Sequence, residues 1–218
     1  MIIKLLLKTE SSEMYAAEEY HPDILDQFKD LPLIVEPPLG PRKFEKLDGS
    51  EKALAADRPK EDKPLRYQRR HVGFFSDVVK GYPYSGQVAE AKPLSDYPVL
   101  ADLLSDVNKD VDASFNGVLV NRFVNGDKYV GCHSDSDEFL DKNHKMTAML
   151  AFGATRTFRI KRKDPRERTL DYEYPSGSLL VMDGEFQNEF TQEMPPRRRV
   201  KDESVVLTFR KHMEEIDN

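Results

Sequence analysis

The stretch SFNGVLVNRFVNGDKYVGCHSD, Ser114–Asp135, consists of two alternating runs of apolar and polar residues joined by the turn VNGD. Alternation with a period of two is typical of strands with one buried face, and Asn-Gly is a strong turn signal. Further short β-rich runs follow, namely KMTAMLAFG, RTFRIKRK, LDYEYP, GSLLVMDG and SVVLTFRKH. Because Gly, Pro and charged turns separate them, we predict a series of short strands.

A helix is predicted immediately before these strands, from about Tyr97 to Asp110, with Asp96 as its N-cap. Apolar residues recur there at helical spacing: Val99, Leu100, Leu103, Leu104 and Val107. A helix followed by a suite of short strands indicates an α+β protein whose core is a sandwich or barrel of the jelly-roll type. In such a core, side chains from separate strands can converge on one small cavity.

The chain of 218 residues fits one large domain, or one domain with an ordered extension. Its single cysteine, Cys132, excludes an internal disulfide framework and a CxxC-type zinc site. One cysteine also suits a reducing compartment, so we expect an intracellular protein, cytoplasmic or nuclear. The N-terminal run MIIKLLLKTE is too short for a signal peptide or a membrane span, and it predicts a first strand. We expect a soluble monomer with no membrane partner.

The net charge of −6 argues against a general polyanion binder, but the charge is uneven. Three basic islands interrupt the acidic chain: KPLRYQRRH (Lys63–His71), RIKRKDPRER (Arg159–Arg168) and PPRRRVK (Pro195–Lys201). Each island taken alone is typical of a solvated loop. If the three converge on one surface, they form a phosphate-binding face.

His133 and Asp135 lie two residues apart, which on a strand places both side chains on one face. This is half of the 2-His-1-carboxylate triad that holds non-haem Fe(II). The alternative is a simple hydrogen-bonded pair in which the aspartate orients the imidazole. The spacing alone leaves both interpretations open.

Six motifs occur in a fixed order: NRF (Asn121–Phe123), HSD (His133–Asp135), DEFL (Asp137–Leu140), FGATRTF (Phe152–Phe158), GSLLVMDG (Gly177–Gly184) and LTFR (Leu207–Arg210). YPYSGQ precedes the predicted helix. Together they resemble the AlkB family of Fe(II)/2-oxoglutarate dioxygenases, which oxidatively remove alkyl groups from nucleic-acid bases. The resemblance covers about Val72 to Lys211.

The resemblance implies a double-stranded β-helix (jelly-roll) core with N-terminal helices and extra strands. Residues 1–71 would form an N-terminal extension with a mobile polar loop, and residues 72–218 the dioxygenase domain. Fe(II) and 2-oxoglutarate are the implied cofactors, and DNA or RNA is the implied partner.

The resemblance also assigns roles to individual residues. His133 and Asp135 match the first two metal ligands, while Asn121 and Arg210 match contacts to 2-oxoglutarate. Asp137 matches the acidic residue that contacts the flipped base, with a turn cap as the alternative. A polar position near the substrate is matched by Arg156. For Arg210, a purely structural bridge to Asp135 or another acid remains open.

Four positions depart from the family pattern. Gln192 occupies the position of the family's distal histidine ligand, and Ser204 that of its first arginine. Val206 replaces an asparagine of the family pattern, and Phe123 replaces a tyrosine. Leaving a buried carboxylate without its cation costs about 3–5 kcal/mol. An amide is also a weaker iron ligand than an imidazole. The departures therefore predict an eroded Fe(II)/2-oxoglutarate site.

Other residues are candidate replacements. His212 and His144 are possible metal ligands, although an ordinary core or surface histidine is the simpler interpretation of each. The missing cation has four candidates, Arg197, Arg198, Arg199 and Lys201. Their run is more typical of a solvated or phosphate-facing loop, and the three arginines are candidates for contacts with a nucleic-acid backbone.

Three functions follow from these residues. The first is an AlkB-like protein that binds nucleic acid with impaired or absent turnover, and the second is an active oxidative demethylase of N-alkylated bases. A protein-interaction domain without nucleic acid is the third. Asp137 and the basic islands favour nucleic acid, and the four departures favour the first function over the second.

Overall fold

The computed structural model describes residues 2–35, 70–84, 87–135, 140–141, 143–164 and 169–213. The predicted polar loop, most of the first basic island and Asp137 lie outside these ranges.

Fourteen strands are assigned in the described part of the chain: β1 (Ile2–Lys8), β2 (Ser12–Glu18), β3 (Ile34–Val35), β4 (His71–Phe75), β5 (Gly81–Tyr84), β6 (Gln87–Lys92), β7 (Gly117–Phe123), β8 (Val130–His133), β9 (Thr147–Gly153), β10 (Arg156–Arg162), β11 (Leu170–Tyr174), β12 (Leu179–Gly184), β13 (Phe190–Met194) and β14 (Ser204–Arg210). Helix α1 spans Pro98–Asp110, and the short α2 spans Phe186–Glu189. None of the described helices is long and apolar enough to cross a membrane.

The strands form two sheets. The larger sheet has the order β1-β2-β12-β9-β14-β7-β4-β6-β5, with β3 added beside β4. The smaller sheet has the order β11-β10-β13-β8. Neighbouring strands are antiparallel except β4 and β6, which are parallel. The N-terminal hairpin belongs to the larger sheet, because β2 pairs with β12.

The alternation read from the sequence of β7 separates two cores. Val118 and Val120 face one cluster, which includes Leu100, Leu103 and Val107 of α1. Phe123 faces a second cluster that contains residues of both sheets. Successive side chains of a strand point to opposite faces, so one short run can serve both layers.

The second cluster lies between the sheets and surrounds the candidate site. Phe123, Met149 and Val206 enter it from the larger sheet, and Phe158 and Met194 from the smaller one. All five are buried. Burying each such side chain contributes about 1.5–3 kcal/mol, so this layer holds the two sheets together.

The predicted first strand and the predicted helix are confirmed. The N-cap prediction was wrong: Asp96 ends a 3₁₀ turn, and Tyr97 occupies the cap position without a side-chain cap. Pro98 follows as the first helical residue, where its missing N–H has no intrahelical partner to lose. Ahead of β4, the described residues contain strands and one 3₁₀ helix, Leu25–Phe28.

Candidate functional site

A cavity of about 250 Å³ lies between the two sheets. From the larger sheet, the residue just before β4 and residues of β5, β7, β9 and β14 line it. From the smaller sheet, residues of β8, β10 and β13 line it. Among the lining residues are His133, Asp135, Asn121, Gln192 and Arg210. The structure therefore brings together residues that are far apart in the sequence.

His133 ends β8, and its ring is oriented by the backbone. Nδ1 lies 2.7 Å from the carbonyl oxygen of Gly131, which can only accept a hydrogen bond, so Nδ1 carries the hydrogen. In the neutral imidazole, Nε2 then presents a lone pair towards Oδ1 of Asp135, at 3.5 Å. Two acceptors that face each other need a cation or a proton between them. The arrangement is compatible with a metal ion between the two side chains and equally with a hydrogen bond from His133 to Asp135.

Asp135 is also engaged by Arg210. Nη2 of Arg210 donates to Oδ2 of Asp135, and the two side chains are only 5% and 3% exposed. Burial alone would raise the pKa of the Asp135 carboxyl, but the Arg210 guanidinium and His133 outweigh it and hold this pKa well below its ordinary value. Nη1 of Arg210 lies 3.4 Å from the hydroxyl of Tyr82. Asp135 is therefore ionised, and the positive charge of Arg210 balances its negative charge.

Gln192 lies next to His133 across the β8–β13 pair. Its side chain lines the cavity, is buried, and has an Oε1 atom without a hydrogen-bond partner. The described residues contain no group of three His, Cys, Asp or Glu side chains able to hold a metal ion. The site therefore offers Fe(II) two of its usual ligands and one weakly donating amide oxygen.

The other end of β14 has a different character. Ser204 pairs with Phe123, and Val206 pairs with Asn121. All four are buried, and the Oγ of Ser204 and the Oδ1 of Asn121 have no hydrogen-bond partner. Phe123 and Val206 belong to the apolar cluster between the sheets. A second carboxylate at this end would meet the apolar side chains of Phe123 and Val206, which line the cavity.

Arg70 and Tyr82 are among the lining residues that sequence reasoning missed. Arg70 directly precedes β4 and is 8% exposed. Its spacing from Val72 and Phe74, which are buried on β4, was the available signal, because residues two apart share a face. The composition of the basic island around Arg70 suggested a solvated loop and obscured this pattern.

Arg156 is not among the described residues that line the cavity. It is 1% exposed, and its Nη2 donates to the carbonyl of Lys128 at 2.6 Å. Longer contacts reach the carbonyls of Asn125 and Pro195, both at 3.4 Å. The pKa of Arg156 is lowered to about 10, mainly by burial and to a lesser extent by the positive charge of Arg197. This arginine ties the β7–β8 loop to the segment after β13.

The three consecutive arginines differ in their surroundings. Arg197 donates to Thr157 and to Oε1 of Glu173, the latter at 3.0 Å. Arg198 and Arg199 are exposed. Nζ of Lys201 donates to the backbone carbonyl of Arg198 at 2.9 Å.

The basic island that begins at Arg159 is partly neutralised within the protein. Arg159 lies 2.6 Å from Asp171, and Lys161 lies 2.8 Å from Glu193. Residues 165–168 of this island lie outside the described ranges. Its described cations therefore contribute less to a phosphate-binding face than their number suggests.

Neither alternative histidine is among the described lining residues. His212 is 2% exposed, and its ring packs edge-on against Phe74 and Tyr82 at centroid distances of 5.0 and 5.6 Å. Burial, assisted by Arg210, lowers the pKa of His212 to about 4. His144 is exposed, with Nδ1 3.0 Å from Asp141. His212 is thus a neutral core residue.

A family model described as the 2OG-Fe(II) oxygenase superfamily matches residues 36–214. The chain belongs to this superfamily. Within it the chain is AlkB-like, and the two-sheet architecture fits the jelly-roll core of this family. The superfamily is one of Fe(II)- and 2-oxoglutarate-dependent oxygenases.

Two curated relatives are AlkB proteins. Alpha-ketoglutarate-dependent dioxygenase alkB homolog 3 of Homo sapiens is 34% identical over 137 residues, which cover 59% of this chain and 47% of the relative. DNA oxidative demethylase ALKBH2 of Mus musculus is 33% identical over 149 residues, which cover 65% of this chain and 61% of the relative. The AlkB-like chain thus spans about half the length of alkB homolog 3.

A solved structure described as that of OsALKBH1 has the same fold. The superposition covers 96% of this AlkB-like chain and 100% of the other, with a TM-score of 0.54. The sequence identity is 14%, so the likeness concerns the fold alone.

Proposed function

We propose that this AlkB-like chain binds nucleic acid and that its Fe(II)/2-oxoglutarate reaction is impaired or absent. The observation that carries the proposal is the end of the cavity near Ser204. Phe123 and Val206 there belong to an apolar cluster, and Ser204 stands where the family resemblance expects an arginine. A buried carboxylate without a cation costs about 3–5 kcal/mol, which lowers its affinity a hundredfold or more.

The metal ligands support the same proposal. Asp135 is already neutralised by Arg210, and the third donor is the amide of Gln192 in place of an imidazole. The superfamily's Fe(II) would supply oxygen activation if it were bound by His133, Asp135 and Gln192. In this chain, the described residues orient a weak donor set. The guanidinium of Arg156 lies 5.1 Å from the Phe123 ring, but it does not line the cavity and already donates to backbone carbonyls.

Two features support nucleic acid as the partner. The relatives include proteins named DNA oxidative demethylase ALKBH2. On the surface, Lys128, Tyr129, Arg198 and Lys201 line a second, shallower hollow. Asp127 also lines this hollow, and Tyr129 is partly buried. Cations beside an aromatic ring are typical of surfaces that bind single strands. Arg198 and Arg199 would contact phosphates, whereas Arg197 is already paired with Glu173. Asp137 is proposed as the residue that contacts the base.

An active demethylase is the second candidate, and one observation favours it. Oε1 of Gln192 is a buried acceptor without a partner, on the residue that pairs with His133. Together with Nε2 of His133 and Oδ1 of Asp135, it forms a set of three acceptors that a divalent cation can satisfy.

Two measurements on the full chain test the proposal. Fluorescence anisotropy of a labelled, N-methylated single-stranded oligonucleotide should show binding that weakens as salt rises. Formaldehyde release from the same oligonucleotide, with Fe(II), 2-oxoglutarate and ascorbate supplied, should stay at the level of a protein-free control. Absence of binding would overturn the nucleic-acid partner, and catalytic formaldehyde release would favour the second candidate.

A further inference from the structure

The cavity between the sheets has a polar end and an apolar end. The polar end contains the Asp135–Arg210 pair and Tyr82. Six lining residues form the apolar end: Phe123, Val130, Met149, Phe158, Met194 and Val206. They belong to one cluster, five of them buried and Val130 packed against the others.

The two ends are arranged along β14. Arg210, Thr208 and Val206 alternate on the face that lines the cavity. The four-residue separation of Arg210 and Val206 corresponds to about 13 Å along a strand. A small molecule lying along β14 therefore has one end beside a guanidinium and the other against aliphatic and aromatic side chains.

The polar end can accept an anionic head group. The Nε of Arg210 is buried and has no hydrogen-bond partner, so it is a donor available to a ligand. Arg70, Tyr82 and Arg210 all line the cavity, and Nη1 of Arg210 lies 3.4 Å from the Tyr82 hydroxyl. Guanidinium groups bind carboxylates well because their donors match the geometry of the two oxygens.

The apolar end offers a second carboxylate little charge compensation, because the Arg156 guanidinium, 5.1 Å from the Phe123 ring, does not line the cavity and donates to backbone carbonyls. Glu193 is among the lining residues, but its carboxylate is paired with Lys161 at 2.8 Å. An aliphatic or aromatic tail, in contrast, gains by leaving water for this surface.

We propose that the cavity binds a 2-oxo acid that has one carboxylate and an apolar side chain, with the carboxylate at Arg210 and the side chain against Phe123, Phe158 and Val206. The inference rests on the proposed loss of 2-oxoglutarate from the same cavity. It keeps the head group of the superfamily's co-substrate and changes the tail to match the residues present.

Calorimetric titration of the full chain with 4-methyl-2-oxopentanoate and with 2-oxoglutarate, each with Mn(II), tests the inference. We expect the branched compound to bind at least tenfold more tightly. Val206→Thr should weaken its binding at least threefold by adding a hydroxyl to the apolar end. Val205→Thr is the matched control, because Val205 lies on the opposite face of β14 in the other core, and it should leave the affinity unchanged.

The outcomes separate this inference from the proposed function. If neither compound binds, or if Val206→Thr and Val205→Thr act alike, the inference fails while the proposed loss of 2-oxoglutarate stands. If 2-oxoglutarate binds as tightly or more tightly, both fail. Circular dichroism of each variant establishes that it is folded, and Ser204→Arg provides an independent check because it should shift the preference towards 2-oxoglutarate.

Discussion

Asp135 and Arg210 form a buried salt bridge that connects the loop after β8 to the end of β14. The bridge joins the smaller sheet to the larger one across the cavity. Sequence reasoning left open whether Arg210 binds a ligand or a structural acid, and the structure places it against Asp135. Because Nε of Arg210 remains without a partner, the bridge does not use all of its donors.

Breaking this bridge from one side should destabilise the fold. Asp135→Asn leaves a buried guanidinium without its counter-charge, and we expect a loss of about 3–5 kcal/mol in the free energy of unfolding, measured by urea denaturation. Removing both charges, in Asp135→Asn with Arg210→Met, should cost clearly less than the sum of the single variants. Additive losses would show that the two groups are not coupled.

An exposed ion pair provides the control. Arg159→Met removes the partner of Asp171, where the side chains are 33% and 43% exposed. An exposed ion pair contributes less than about 1 kcal/mol to the free energy of unfolding. The midpoint of urea unfolding of this variant should therefore lie close to that of the wild type.

His212 should make the fold sensitive to mild acid. Burial lowers its pKa to about 4, whereas in the unfolded chain it titrates near the ordinary value of 6.5. As pH falls from about 6.5 to 4, the unfolded state takes up a proton that the folded state does not, so stability decreases by about 3 kcal/mol over that window. His212→Phe should remove this part of the pH dependence of urea unfolding.

The exposed His144 offers the matched comparison. His144→Gln should retain the wild-type loss of stability between pH 6.5 and 4. If His212→Phe and His144→Gln have the same pH profile, the buried histidine is not responsible.

Gly126 should not tolerate a side chain. A Cβ atom there would lie 1.9 Å from the backbone oxygen of Arg197, which belongs to the segment after β13. The Gly126 carbonyl accepts from the Arg197 amide at 2.6 Å, so the two segments cannot separate without losing backbone hydrogen bonds. We expect Gly126→Ala to lower the free energy of unfolding, measured by thermal denaturation, by about 1–3 kcal/mol. Asp127→Ala, at the neighbouring exposed position, should have little effect. Equal stability of the two variants would contradict this close packing.

The exposed arginines should carry the salt dependence of nucleic-acid binding. Arg198→Glu should weaken binding regardless of base sequence and reduce the slope of log affinity against log salt by about 0.7 for a single strand. Lys109→Glu, an equal change of charge at the end of α1, should leave the slope unchanged. A slope that responds to both variants alike would indicate an effect of net charge alone.

Much of the fold was predictable because it depends on alternation. The runs around Val118, Met149 and Leu207 read as strands, and the structure confirms them. β13 escaped prediction because its buried positions are Phe190, Gln192 and Met194, and a glutamine in the middle conceals the period of two. Pairing across β8 and β13 was unpredictable for the same reason.

Local spacing predicted only part of the candidate site, and the family resemblance added Asn121, Gln192 and Arg210, which line the same cavity. His133 and Asp135 were recognisable because two residues on one strand share a face. For Arg70, the spacing could indicate a shared face with Val72 and Phe74 but not that β4 lies beside β7, which is fixed by the packing of the whole sheet. The burial of Arg156 among carbonyls likewise follows from two loops that meet only in the folded chain.

The central claim is that the far end of the cavity has lost its affinity for a carboxylate. The direct test is a calorimetric titration with 2-oxoglutarate and Mn(II), which compares the wild-type chain with Phe123→Tyr/Ser204→Arg/Val206→Asn. We predict no measurable binding by the wild type at physiological concentrations, and a gain of at least tenfold in the folded triple variant. Micromolar binding of 2-oxoglutarate by the wild type would contradict the account.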